Sequence, residues 1–424
     1  MTLFRSMISR VAFKARLTPR RSVHVDIELP KSTLSGIGNE NKSRLGANMA
    51  KRRTVIDLFC GAGGLSAGLE MAGFTVLAGN DLFEAAGRTF ADTHPMAKFI
   101  PGRIQDLDTD ELLEAAGLKK GELTVLVGGP PCQAYSVYNH QRGMHDERAT
   151  LFREYLRVVE ALQPEWIIME NVAGIFSIGG GEAVHAIQSE LGALGYDVKF
   201  EVLKAEQFGV PQERRRVVFI GNRVGAPIKH PAPTHGPGLM PYVTIQDAIS
   251  DLPRLENGED RGVVPYATEA ASCFQKLLRG NLTKATCHVA PRLGKVNVDR
   301  LEHIPPGGSW RDIPFDLLPA GMQRAKRSDH TKRYGRMTWG GLSCTVLTKC
   351  DIHWGAYIHP EQDRAISVRE AARLQSFPDS FVFSGSKTEQ YVQVGNAVPP
   401  LLGKAIGQAL LTSMEVAETE ETAA

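Results

Sequence analysis

From residue 54 to residue 222 the chain repeats one pattern: a short apolar run, a turn, then an amphipathic stretch of helical period. "TVIDLF" (54–59) precedes "GGLSAGLEMAG", in which Leu65, Leu69 and Ala72 share a helical face. "TVLAGND" (75–81) precedes "LFEAAGRTFADTH", and "TVLVGG" (124–129), "WIIMENV" (166–172), "AVHAIQSELGALG" (183–195), "DVKFEVL" (197–203) and "RVVFIGN" (216–222) continue the series. Strands alternating with helices predict a parallel or mostly parallel sheet with helices on both faces. Ligands bind such sheets beyond the carboxyl ends of the strands, so the residues after each apolar run are the first candidates for a site.

The alternation stops after Asn222. "HPAPTHGPGLMP" (230–241) reads as a Pro/Gly-rich linker or loop, and from there to about residue 345 no steady period survives. Residues 222–345 carry 17 Lys and Arg against 11 Asp and Glu, an excess that suits either a solvated surface or a nucleic-acid contact face. Helical character returns at "SVREAARLQSFP" (367–378) and "PPLLGKAIGQALLTSME" (399–415), where two prolines open a helix whose apolar positions are 401, 402, 406, 410 and 411. The expected organisation is a basic, disordered extension over 1–53, an α/β domain over 54–222, a smaller irregular domain over 223–350, segments 351–412 that complete the first domain, and a solvated, frayed acidic tail over 413–424.

A length of 424 residues exceeds one ordinary domain, and 42% apolar with 23% charged residues fits a soluble globular protein of net charge +2. No run approaches the 18 or so apolar residues of a membrane span. The six cysteines form no CxxC pair, which leaves neither a disulfide framework nor a zinc site to expect, and no metal is called for. The first 25 residues hold six Lys and Arg and no acid. That composition fits an organelle transit peptide, a basic arm, or an upstream extension ahead of a start at Met49; the last is preferred, with a bacterial cytoplasmic location.

"VLVGGPPCQAYS" (125–136) places a thiol on a stiff turn. Leu126 and Val127 end a buried strand, Gly128 and Gly129 stop it, and Pro130 and Pro131 fix φ, so Cys132 is aimed at one point beyond the strand. A buried structural thiol is the other reading. "DLFCGAGGLSAGLEMAG" (57–73) sets Gly61, Gly63 and Gly64 between a strand and a helix, where a ligand can approach the backbone. The spacing is not GxGxxG and no GK[ST] follows, which disfavours dinucleotides and nucleoside triphosphates. Asp81 ends the next strand, where nucleotide-type folds hold ribose hydroxyls; a helix N-cap is the alternative. Asp106, in "RIQDLD", admits the same two readings.

Together "DLFCGAGG" (57–64), "GGPPCQAYS" (128–136), "ENV" (170–172), "QERRR" (212–216), "REAARLQSFPDSF" (369–381) and "VGNAVPP" (394–400) resemble, in order and approximate spacing, the motifs of DNA cytosine-5 methyltransferases. The compact arrangement is similar to the bacterial enzymes that accompany restriction endonucleases. The resemblance implies a Rossmann-like S-adenosylmethionine-dependent methyltransferase fold with a smaller target-recognition domain and DNA in the cleft between them. It implies that Phe59, Gly61, Gly63 and Gly64 cradle the cofactor, that Asp81 holds its ribose, that Asp106 meets the adenine amino group, and that Asn396 contributes from the last motif. Leu82 stands where some members stack an aromatic ring.

By the same resemblance Cys132 is the nucleophile. Carbon 5 of cytosine is too poor a nucleophile to take a methyl group unaided, and a thiolate adding to carbon 6 turns the ring into an enamine. Glu170 ends a very apolar strand, where desolvation raises a carboxyl pKa and favours the acid form that can stabilise charge at ring nitrogen 3; a capping or ion-pairing Glu is the other reading. Arg216 is placed near the cytosine carbonyl oxygen and Arg214 near the cleft and phosphates, with Arg215 pointing elsewhere. The target base has to be flipped out of the duplex. The loop "QAYSVYNHQRGMHDERATLF" (133–152) would close over it, with Gln133, Tyr135, Ser136 and Arg148 as DNA contacts, and Thr345 in "SCTVLTK" matches the recognition domain's threonine element. The partners implied are double-stranded DNA and, functionally, a restriction endonuclease of the same site, for an enzyme that acts as a monomer. Two alternatives stay open. One is a transfer RNA cytosine-5 methyltransferase, whose Cys-Phe-Thr is only approached by "SCFQ" (272–275); the other is a non-catalytic DNA-binding relative, which intact Cys132, Glu170 and Arg216 argue against.

Overall fold

Successive residues of a strand point to opposite faces of its sheet, and the apolar runs at 54–58, 125–128, 166–169 and 216–222 are buried on both. In the computed structural model, which describes residues 53–131 and 150–423 (side chains at 150, 177–180 and 420–423 excepted), they belong to one seven-stranded sheet. Its strands are β1 (Thr54–Leu58), β2 (Thr75–Asp81), β3 (Lys98–Pro101), β4 (Val125–Gly128), β5 (Trp166–Val172), β6 (Asp197–Lys204) and β7 (Arg215–Asn222). The order is β3-β2-β1-β4-β5-β7-β6. Pairings from β3 through β5 are parallel, and β7 runs antiparallel to both β5 and β6. This is the mostly parallel sheet the alternation predicts, in the Rossmann-like architecture the resemblance implies.

Alternation sorts the core into two layers. Val55, Val125, Val127, Ile168, Val218 and Ile220 face one cluster; Ile56, Leu126, Ile167, Met169, Val217 and Phe219 face the other. The second layer is closed by α3 (Thr109–Ala116), α4 (Thr150–Leu162) and α5 (Glu182–Ala193), through Leu112, Val158, Val159 and Ile187 among others. On the first face lies α1 (Gly64–Ala72), while α2 (Glu84–Thr93) follows β2.

The C-terminal helices share that first face. They are α9 (Val368–Leu374), α10 (Lys387–Asn396) and α11 (Pro400–Ala423), whose Leu402, Ile406 and Leu410 join the cluster of Leu65 and Leu69. Contact between α1 and α11 is backbone-close: a Cβ on Gly68 would stand 2.6 Å from Gly403 Cα, and one on Gly407 2.7 Å from Ala72 Cβ. Where the sequence reading has a frayed acidic tail, α11 continues to Ala423, because Glu, Ala and Met are good helix formers and Met414 is anchored in the core.

The irregular region divides between two cores. Helices α6 (Ile245–Ile249) and α7 (Cys273–Arg279) each begin with a capping box, at Thr244 with Asp247 and at Ser272 with Gln275, and pack Ile245, Ile249, Phe274 and Leu278 into the first cluster. A separate small core gathers Leu301, from α8 (Lys295–Leu301), with Ile304, Trp310, Ile313, Tyr334 and Ile358. The five described cysteines are free thiols.

Candidate active site

The turn from β1 into α1 is built for close approach. Phe59 is held at φ +58°, in the left-handed region that a bulky side chain rarely adopts, and Gly61 and Gly63 follow at +54° and +85°. A Cβ on Gly63 would collide with the buried His94 ring, and one on Gly64 would lie 2.5 Å from the Val398 carbonyl oxygen. The turn is thus fitted between α2 and the segment that opens α11. Asp81, at the end of β2, ties it down: Oδ2 accepts the Gly61 N–H at 2.8 Å and Oδ1 accepts the Phe83 N–H at 2.7 Å. Burial pushes the Asp81 carboxyl up from the ordinary carboxylate range, against the pull of those N–H groups.

Above this turn opens a cavity of about 760 Å³, within the usual size of a small-molecule site. Phe59, Gly61, Gly64, Asp81, Leu82 and Asn396 all line it. Leu82 is 66% exposed, an apolar side chain turned to open space. Gly63 lies beneath the lining, and Asp106 is exposed outside it, at the end of a 3-10 turn whose Arg103, Ile104 and Gln105 do line the cavity. Asp57 is a lining residue that the sequence reading passes over, although it opens the quoted "DLFCGAGG". Its Oδ2 accepts the Ser66 hydroxyl at 2.6 Å, yet burial pushes the carboxyl up to about 7.

The opposite wall belongs to β4 and β5. Gly129, Pro130 and Pro131 line the same cavity as Glu170, Asn171 and Arg216. Asn171 Nδ2 donates to the Pro130 carbonyl at 2.9 Å, and its Oδ1 accepts the Val172 N–H at 2.9 Å, so β5 props the double-proline stalk. Local sequence gives a clue to this role only in that Asn follows the acid at a strand end. Glu170 Oε1 lies 2.5 Å from Arg216 Nε, both groups nearly buried. Cys132, Gln133, Tyr135, Ser136 and Arg148, and the extension over 1–52, lie outside the described residues.

Arg214 does not reach the cleft. It is 1% exposed, with Nη1 donating to the Val346 carbonyl (3.2 Å) and Nη2 to those of Gly395 (3.0 Å) and Ala397 (2.9 Å). Desolvation, with Arg216 nearby, pulls its guanidinium down to about 9. Next to it, buried Gln212 donates to the Leu374 carbonyl and the Gln375 side chain and accepts the Val346 N–H. "QERRR" therefore works partly as a clasp between the sheet, the 343–347 segment and the last motif. Arg215 and Arg216 instead line a second cavity of about 480 Å³ with Thr345, whose hydroxyl donates to the Glu213 carbonyl at 2.7 Å.

Against known proteins, the family described as C-5 cytosine-specific DNA methylase matches residues 53–412. A Type II methyltransferase of Thalassovita gelatinovora, M.AgeI, is 34% identical over 84% of this chain and 98% of its own. M1.HphI of Haemophilus parahaemolyticus, also a Type II methyltransferase, is 36% identical over 84% of this chain and 86% of its own. In fold, a crystal structure described as a prophage-encoded DNA modification methyltransferase (E. coli) superposes with a TM-score of 0.68 at 24% identity, covering 85% of this chain and 99% of that one.

Proposed function

The chain belongs to the C-5 cytosine-specific DNA methylase family and is a DNA cytosine-5 methyltransferase, and from that premise we propose which of its residues carry the reaction. The observation that supports the assignment is the convergence, on one cavity, of the glycine turn with Asp81 on one side and the Pro130–Pro131 stalk with Glu170 and Arg216 on the other.

S-adenosylmethionine fits the first side. Gly61 faces the cavity, and a Cβ there would meet no protein atom within 4 Å, so backbone and open space adjoin. Leu82 and Phe59 supply apolar surface for a base, Asp81 an acceptor for ribose hydroxyls, and Asp57 a second carboxyl for a cationic ligand. Asn396, at the end of α10, completes that wall. When bound, this cofactor supplies an electrophilic methyl group.

On the second side Cys132 follows directly from the propped stalk. Its thiolate adds to carbon 6 of cytosine, the carbon 5–carbon 6 electron pair moves into the ring toward nitrogen 3, and carbon 5 becomes nucleophilic. Glu170 stabilises the charge at nitrogen 3, and Arg216 orients Glu170 and faces the carbonyl oxygen at carbon 2. Arg214 acts from behind, by holding the clasp. Placement matters here, because an error of about 1 Å can cost roughly a hundredfold in rate. For these groups to reach a base, the target cytosine is flipped from the duplex, with Gln133, Tyr135, Ser136 and Arg148 closing over it and Thr345 at the second cavity.

The substrate is DNA; its recognition is assigned to residues 223–350, where Lys and Arg outnumber Asp and Glu. Their names make both relatives above Type II methyltransferases, and we assign this chain the role of protecting one short duplex sequence by methylating it, as a monomer in a bacterial cytoplasm alongside an endonuclease of matching specificity. Among the described residues no helix is long and apolar enough to cross a membrane. Duplex DNA carrying 5-fluorocytosine, offered together with S-adenosylmethionine, tests the nucleophile: once carbon 5 is methylated, release of the thiolate requires loss of the carbon 5 hydrogen as a proton, and fluorine in its place cannot leave. The wild type should form a complex stable to denaturing electrophoresis and Cys132→Ser should form none; a complex that persists in the variant would assign the attack to another residue.

A further inference from the structure

Past Leu82, one tight segment, Gly102 to Gln105, walls the large cavity. Buried Asn80 donates from Nδ2 to the carbonyls of Ile100 (2.9 Å) and Gly102 (3.2 Å). From the other side Arg157 Nη2 donates to those of Ile104 (2.8 Å) and Leu107 (3.2 Å). Held at both ends, the 3-10 turn Ile104–Asp106 has a set rotation, which gives Gln105 to the cavity lining and leaves Asp106 exposed outside it.

In nucleotide-binding sheets the acid ending the second strand takes the ribose, so the base lies farther along, beside the end of the third. Here that region offers Leu82 for a ring face and Gly102 to Gln105 for a ring edge. Adenine presents on that edge an amino donor beside a ring-nitrogen acceptor. Arg103 can only donate, and the Gly102 and Ile104 carbonyls already accept from Asn80 and Arg157. Gln105 carries both a donor and an acceptor in one carboxamide, and that carboxamide makes no hydrogen bond among the described residues.

We infer that Gln105, and not Asp106, reads the 6-amino edge of the adenine. The inference rests on the cofactor assignment made above. Its consequence is that cofactor selection in this chain depends on a neutral amide, whereas Asp106 can be replaced without loss.

Calorimetric titration of the purified full chain tests it, with S-adenosylhomocysteine and its counterpart lacking the purine 6-amino group as ligands. Wild type is expected to bind the amino ligand about tenfold more tightly, the worth of one hydrogen bond. In Gln105→Met, which keeps the side-chain length, the two ligands should bind alike and about as well as the des-amino ligand binds wild type; Asp106→Ala should keep the tenfold preference. The inference is overturned if the preference survives in Gln105→Met, if it vanishes in Asp106→Ala, if wild type shows none, or if Gln105→Met loses both ligands equally. Failure of wild type to bind either ligand would overturn the cofactor assignment as well, which separates the two failures.

Discussion

Asp57 is a carboxyl that the fold holds against its ordinary chemistry. It is 2% exposed and pushed up to about 7 by burial, while Ser66 donates to it at 2.6 Å. Because its folded pKa lies above the unfolded value near 3.8, the native state keeps the proton longer than the unfolded chain does. Between about pH 4 and pH 7 the unfolded state therefore binds fewer protons, and stability falls as pH rises through that window. Asp57→Asn removes the titration and leaves an acceptor for Ser66. Thermal denaturation should find the variant gaining on wild type from pH 5 to pH 8, by an amount on the order of a few kcal/mol; a difference independent of pH would contradict the assignment. For catalysis, Glu170→Gln should lower kcat roughly a hundredfold or more, with cofactor affinity measured by titration changing little. At this scale, residues that act through local chain geometry were legible: Phe59, Gly61, Asp81, Glu170 and Arg216 sit at strand ends and reach one cavity. Arg214 was not, because its three carbonyl partners come from residues 346, 395 and 397. Nor could spacing tell Gln105 from Asp106, whose directions depend on a turn pinned by Asn80 and Arg157.

Among the elements, α1 and α11 carry the most specific demand. Gly68 and Gly403 let the two backbones touch, and a Cβ on Gly68 would meet main-chain atoms of α11 that have no rotamer to yield. Gly68→Ala should therefore push the helices apart and cost about 1 to 3 kcal/mol, despite the better helix propensity of Ala. Urea denaturation would read this as a lower midpoint at unchanged m; an unchanged or higher midpoint would mean that the helices separate freely. The strand limits were legible, as with β5 at Trp166–Val172, because apolar runs bounded by turns leave few choices. The pairing of α1 with α11 was not, since a lone helical glycine has many explanations. The antiparallel insertion of β7 between β5 and β6 also escapes the alternation pattern, which records strands but not their direction.

For the molecule as a whole, the clasp of Gln212 and Arg214 ties the chain ahead of β7 to residues 346, 374, 375, 395 and 397. Arg324, Lys326, Arg327 and Lys332 are exposed within ten residues, and Arg333 covers the Trp354 ring at 4.6 Å. If this face tracks phosphates, Lys326→Ala and Arg327→Ala should each weaken duplex binding about equally for all sequences and reduce the slope of log K against log salt by about one. Loss confined to one sequence would instead mark them as base readers. The central claim, methyl transfer to DNA cytosine through Cys132, is tested most directly with radiolabelled S-adenosylmethionine offered mixed genomic DNA and, in parallel, transfer RNA. The account predicts label recovered as 5-methylcytosine in DNA by the wild type and none with Cys132→Ser; label entering transfer RNA alone, or DNA equally in the variant, would contradict it.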